Sequence, residues 1–396
     1  MPPSLRLFAA GSNAQGQLGN DSNEDSHTFQ ACRLPPDFAS CHSIVDLATG
    51  ANHTIALTED QLGKRTLWGC GDGRAGQLGP DIIRLGAIAS FQRLTLGEQF
   101  EGYEICRVAA SWQTTYVVLS SVGVGDIVVS MGSNDYGDLG SKHIGAVHNS
   151  PNVVDFDLIL GERPFSVQNI STGQHHVILS LLFGEDTLVV GWGASRHGQL
   201  GADPSILLPN GKLPLYIDHP IIIPLETNDS VVDVALGSRH SLLLHTSGMI
   251  TGLGTNRKGQ LDDGLKALEG VKSIACTWNG SYAVIEGNSV VAYGANARGQ
   301  LGHSTMASAD ARVQLPFHAT SEDHVKIACG SEHALLLYRD VVWGWGWNEH
   351  GNLGVGSTED VTFPVEIWPS PKDGSETNVV GIWAGLGTSW IALNSG

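Results

Sequence analysis

Gly11-Ser12-Asn13-Ala14-Gln15-Gly16-Gln17-Leu18-Gly19 decides the fold, because the same nine-residue phrase returns along the whole chain. Copies begin at Gly11, Gly71, Gly132, Gly193, Gly254, Gly294 and Gly346, at intervals of 60, 61, 61, 61, 40 and 52 residues. A period of that size marks a structural unit far longer than a coiled-coil or collagen repeat. A second phrase keeps step with it: Ala48-Thr49-Gly50-Ala51-Asn52-His53-Thr54, with an apolar run on either side. The pair Gly50/His53 is repeated as Gly173/His176, Gly237/His240 and Gly330/His333. Three further copies, at Trp112-Gln113-Thr114, Trp278-Asn279-Gly280 and Leu386-Gly387-Thr388, lack the histidine.

Between the phrases lie short Val-, Ile- and Leu-rich runs with little helical periodicity, and 50 glycines with 16% charged residues suit a chain of tight turns. One period supplies about four short antiparallel strands, the content of a propeller blade. The expectation is an all-β, seven-bladed β-propeller filling residues 1–396 as one domain. An open ring would leave two sheet edges free for pairing with other chains. The chain starts with the third and fourth strands of a unit and ends with the first and second, so residues 5–10 are expected to pair with 389–393 and close the ring. A weaker strand is expected near 31–34. The short fifth interval predicts a very short outer strand and turn at 261–270. The Pro- and Ile-rich stretch 202–230 reads either as an extra hairpin or, more simply, as a loop between blades.

Each recurrent residue has a physical role. The glycines permit chain reversal and positive φ. The asparagine at the third position can bond backbone groups about two residues on. The leucine of QLG can plug the space between adjacent blades. The repeating histidine reads as a core residue that links strands through ring hydrogen bonds, since one per blade scatters the rings too widely for a metal. His175 and His176 are adjacent in a strand, so their rings point to opposite faces. Trp343, Trp345 and Trp390 lie within strands and read as core.

The net charge of −18 has no basic block to oppose it, which argues against nucleic acid or an anionic membrane as the main partner. Six cysteines without a CxxC pair read as reduced thiols. The first residues are too short in apolar run for a signal core, and no stretch reaches the ~18 apolar residues of a membrane span. A cytoplasmic or nuclear protein is expected. Gly71-Asp72-Gly73-Arg74-Ala75-Gly76 is formally GxGxxG, but it is one copy of the repeat and Gln77-Leu78-Gly79-Pro80 follows where a phosphate-binding helix is needed. With no Walker loop, HExxH or GxSxG elbow, the reading is of a non-enzyme without metal or cofactor.

The alternation of GxNxxGQLG with AxGxxHxxxL resembles the repeats of the regulator of chromosome condensation family, across essentially residues 5–393. That resemblance implies a seven-bladed propeller closed in the two-plus-two manner. A fungal branch of the family is resembled more closely, through LFAAGSNAQGQLG, ATGANHTIALT, WGCGDGRAGQLG, ASWQTT, CTWNGS, WGWGWNEHGN and GTSWIAL. This branch implies a nearly bare propeller that pairs, as a heterodimer, with a small zinc-containing electron-carrier protein of diphthamide synthesis. It further implies support of diphthamide formation on elongation factor two and of Elongator-dependent tRNA wobble uridine modification. The alternative implied by the wider family is guanine-nucleotide exchange on a Ran-like small GTPase. A light sensor is disfavoured, because only two turns carry tryptophan and they hold Gln113 and Asn279 in place of arginine. A generic scaffold or ligase-recruiting propeller is a further reading.

In a propeller the turn between strands one and two and the turn between strands three and four open on one face. The unusual residues there are Trp112, Gln113, Trp278, Asn279, Trp347, Glu349 and His350. Large aromatics in small polar turns are favoured interface anchors. Trp112, Trp278, Trp347, Glu349 and His350 are therefore the candidate partner contacts, with Trp112 and Trp278 equally able to pack between blades.

Overall fold

The computed structural model describes residues 4–141, 150–161, 163–202, 204–304, 311–320, 324–369 and 378–395. Seven antiparallel sheets follow one another around a ring, five with four strands and two with three among the described residues. In each the chain runs outward, from an inner strand beside the central axis to the rim. The second blade is representative: Ser43–Thr49, His53–Glu59, Arg65–Asp72 and Ala87–Arg93 pair in that order.

The ring closes as the repeat phase requires. Ser4–Gly11 pairs along its whole length with Thr388–Ser395, which pairs in turn with Val379–Ala384, while Ser26–Ala31 forms the outer edge. The two ends of the chain are thus one blade. The outer strand of that blade falls earlier than the 31–34 expected from its apolar residues. Cys32 and Leu34 instead leave the strand and pack against the core cluster containing Phe38 and Leu47.

Two other expectations need correcting. Residues 202–230 are neither an extra hairpin nor only a loop, since Tyr216–Ile222 is the fourth strand of the fourth blade and pairs with Asp186–Ala194. Its prolines concealed it, because Pro220 is tolerated only where the missing N–H faces away from the ladder, on an edge. The stretch 261–270 holds no outer strand. A single helical turn, Asp263–Lys266, capped by Asp262 through the Gly264 N–H, covers the rim of the fifth blade with Leu265 buried. In the sixth blade the fourth strand is represented, among the described residues, by one bridge, Val291 to Arg312.

The nine-residue phrase folds on itself. Asn13 Oδ1 accepts the Leu18 N–H at 2.9 Å, and Asn134, Asn256, Asn296 and Asn348 do the same for the leucine five residues on, three further than expected. The glutamine before that leucine turns back: Gln17, Gln77, Gln199, Gln260 and Gln300 each accept the N–H two residues earlier. Gly71 shows why glycine opens the phrase, since at φ +96° a Cβ there would strike the Asn52 carbonyl of the neighbouring turn.

All seven phrase leucines are buried, as inter-blade plugs should be. Leu78, for example, shares one cluster with Ile55 and Leu57 of its own blade and with Val129 and Met131 of the next. The carbonyl before the leucine is a second junction. Asp138 O accepts Tyr116 Oη at 2.7 Å and Trp192 Nε1 at 2.8 Å, and Gln300 O accepts Tyr282 Oη and Trp345 Nε1. Trp192, Trp345 and Trp390 are fully buried, and Trp343 is half-buried against the same cluster as Trp345.

The histidines are inter-blade rivets. His53 Nε2 lies 3.0 Å from Thr115 Oγ1, His176 Nε2 3.0 Å from Ser241 Oγ, His240 Nε2 3.1 Å from Ser281 Oγ and His333 Nε2 3.1 Å from Ser389 Oγ. Every partner is on the second strand of the following blade. Burial pushes the four pKa values down, to about 4, 3, 4 and 4 in that order. They are neutral at physiological pH and serve as hydrogen-bonding bridges. All six cysteines are unpaired. No helix among the described residues is long and apolar enough to cross a membrane.

Candidate protein-docking cup

Pairing places the two kinds of turn side by side. His53 stands opposite Gly71 in the ladder, and the Asp72 N–H reaches the Asn52 carbonyl at 2.7 Å, so the first turn of each blade abuts its glycine phrase. Seven such pairs crown one end of the central shaft. Adjacent crowns are stitched by backbone bonds: Ala51 N–H to Trp112 O, Trp112 N–H to Gln174 O, Ser238 N–H to Trp278 O and Trp278 N–H to Ser331 O. The two tryptophan turns are thereby fixed to a neighbouring blade on either side, which orients their side chains.

Trp112 and Trp278 line both the shaft and a separate depression on the crown. Their rings approach to 6.1 Å between centroids at 33°, although the residues belong to the third and sixth blades. They neither stand free nor pack between blades; they meet across the shaft mouth. The mouth is narrow enough for two indoles to span it because the shaft wall is built from small residues such as Ala48, Ala110, Thr172 and Gly237. Trp112 also leans on His175 at 6.0 Å, whose ring packs tilted against Tyr136 at 4.4 Å and bonds Asp138 through Nδ1 at 3.2 Å. The two adjacent histidines therefore diverge, His176 into the blade junction and His175 onto the crown.

The depression, about 440 Å³, is lined by all five candidate contacts: Trp112, Trp278, Trp347, Glu349 and His350. Trp347 Nε1 donates to Glu349 Oε2 at 3.2 Å, and its ring meets the His350 imidazole edge-on at 5.4 Å. His350 Nδ1 lies 2.7 Å from Asp25 Oδ2, across the seam between the seventh blade and the closing one. Trp112, Trp278, Trp347 and His350 are half-buried and Glu349 is exposed.

Glu332, Ser331 and Arg298 also line the wall and were not singled out from the sequence. Glu332 is held from two sides, by Asn279 Nδ2 at 2.7 Å and Gln300 Nε2 at 2.5 Å. Burial raises its pKa, opposed by those two amides and by the charges of Arg298 and Lys258. The repeat itself carried the signal: Glu332, just before His333, occupies the turn position that Gln113 and Asn279 hold before Thr114 and Gly280 in the two turns without the histidine. Arg298 Nη1 is engaged with Asp360 at 3.1 Å. Aromatic walls, fixed carboxylates and a half-open mouth suit this site for binding, and among the described residues no group of three or more metal-ligating side chains is assembled.

Comparison with known proteins agrees with this architecture. The sequence matches the RCC1-like domain over residues 6–391. It is 30% identical to the secretion-regulating guanine nucleotide exchange factor of Mus musculus, over 96% of this chain and 82% of that protein. An RCC1 repeat-containing protein of Schizosaccharomyces pombe is 27% identical over 98% of both chains. Among solved structures, Prp20p of Saccharomyces cerevisiae superposes with a TM-score of 0.74 at 20% identity, covering 98% of this chain and 91% of that one, a likeness of fold.

Proposed function

The chain belongs to the RCC1-like domain family, and from that premise we propose that it is a protein-docking propeller whose partner sits on the tryptophan cup of the crown. One observation carries this reading: Trp112, Trp278, Trp347, Glu349 and His350, drawn from three blades, converge on a single depression. Half-buried aromatics in a fixed concavity are the residues that dominate interface energies, and their ordering cost is already met by the crown's own hydrogen bonds.

The partner we propose is a small zinc-containing electron carrier of diphthamide synthesis, bound as a heterodimer. The assignment rests on the sequence phrases shared with fungal propellers of the alpha-tubulin suppressor type. Through that partner the protein supports diphthamide formation on elongation factor two and Elongator-dependent modification of tRNA wobble uridines, in the cytoplasm or the nucleus. A second reading, guanine-nucleotide exchange on a Ran-like small GTPase, is favoured by the mouse exchange factor at 30% identity. The crown is common to both readings, so the partner decides between them.

The test is a pull-down with the intact chain, with Trp112→Ala and Trp347→Ala alongside, read by mass spectrometry. Retention of a small zinc protein that both variants lose supports the first reading. Retention of a nucleotide-free GTPase replaces it with the second.

A further inference from the structure

The chemistry of the cup says what a partner must insert. Three indoles line it, and its fixed charges among the described residues are Glu332, Glu349 and Arg298, the last of them paired outward with Asp360. Asp25 stands behind His350 and adds to the negative side. Both carboxylates of the wall are positioned, Glu349 by the Trp347 indole N–H and Glu332 by two side-chain amides. An anionic group entering here would face these carboxylates on a chain of net charge −18. A purely apolar group would cover Glu332 and desolvate a carboxylate that has only the charges of Lys258 and of Arg298, itself paired with Asp360, to offset it, which is costly. A cation satisfies both demands, meeting the carboxylates by charge-assisted hydrogen bonds and the indoles by cation–π attraction, for which tryptophan is the best ring.

We propose that the cup of Trp112, Trp278, Trp347, Glu332 and Glu349 receives the cationic end of a lysine or arginine side chain presented by the docked partner. This rests on the reading of the crown as a protein-docking face and specifies what that face selects. The volume of about 440 Å³ accommodates a long side chain. Such an anchor also accounts for the two amides that bond Glu332, which favour its charged form against the burial that raises its pKa.

The test uses the intact chain and small probes, so that it does not depend on finding the partner. Nα-acetyl-lysine methylamide, its arginine counterpart and the uncharged norleucine isostere are compared by saturation-transfer NMR. The expected result is saturable binding of the two cations in about the millimolar range, with norleucine at least about fivefold weaker. Glu332→Gln, which preserves shape, is expected to weaken lysine binding several-fold, and Trp278→Ala to abolish it while thermal melting shows a folded chain. Equal binding of norleucine and lysine overturns the proposal on the wild-type protein alone, whatever the variants do. A pull-down that returns no protein overturns the docking reading, whereas cation selectivity of the cup is decided by the NMR comparison.

Discussion

Acid should loosen the ring at its histidine rivets. Each of His53, His176, His240 and His333 has a folded pKa near 3 to 4 against 6.5 when free, because burial disfavours the charged ring. With the folded value below the unfolded one, the unfolded chain takes up protons first as pH falls. Stability is therefore full above about pH 6.5 and is lost progressively down to about pH 4. For a folded pKa of about 4, the loss between about pH 8 and pH 5 is roughly 1.5 pH units' worth of binding, or about 2 kcal/mol per histidine. Four rivets together approach about 8 kcal/mol, comparable with the whole stability of many domains. Asp46, Asp233 and Glu332 act oppositely, since burial raises their pKa values and acid favours their folded form, so the wild-type profile alone is ambiguous. The informative quantity is a difference. Urea unfolding followed by tryptophan fluorescence at both pH values should show the wild type losing about 2 kcal/mol more than His240→Gln, which keeps a hydrogen-bonding side chain but cannot titrate. Ring NMR of the same samples should find the four imidazoles neutral at about pH 5. Equal losses in the two proteins, or a rivet titrating near 6.5, would refute the reasoning.

Two further outcomes follow from the packing. Leu78→Ala, which empties a site shared by the second and third blades, should cost about 2–5 kcal/mol in urea unfolding, whereas Leu62→Ala, at a 93% exposed turn position, should change little. Equal effects would mean that the leucines are not plugs. Removal of residues 388–396 takes away the strand that pairs with the inner side of Ser4–Gly11 and should shift the elution profile toward aggregates by exposing sheet edges. A monomer with an unchanged melting curve would show that the ring does not need its closure.

Local chemistry made the propeller legible in the sequence. Glycines at positive φ, an asparagine that bonds within its own phrase and alternating apolar strands act over a few residues, so their repetition announced seven blades, and the phase of the repeat at the two ends announced the closure. Where the local signal was weak the reading slipped. The strand Tyr216–Ile222 was concealed by edge prolines, and the rim turn Asp263–Lys266 by a shortened interval that a strand or a helical turn could equally fill.

The crown shows the same division. Trp112, Trp278, Trp347, Glu349 and His350 stood out because large or charged residues interrupt small polar turns, and repeat position alone assigned them to one face. Their convergence was decided by tertiary structure. Residues 112 and 278 meet because the ring brings the third and sixth blades across a shaft of small side chains, and His350 reaches Asp25 only because the closing blade joins the two ends of the chain. Glu332, ordinary within its turn, becomes a fixed carboxylate only when Asn279 and Gln300 of the neighbouring blade bond it. Repetition in sequence determines which residues share a face, since it depends on contacts a few residues apart. Which of them touch depends on ring diameter, blade twist and closure, all of which are set by packing between blades far apart in the chain.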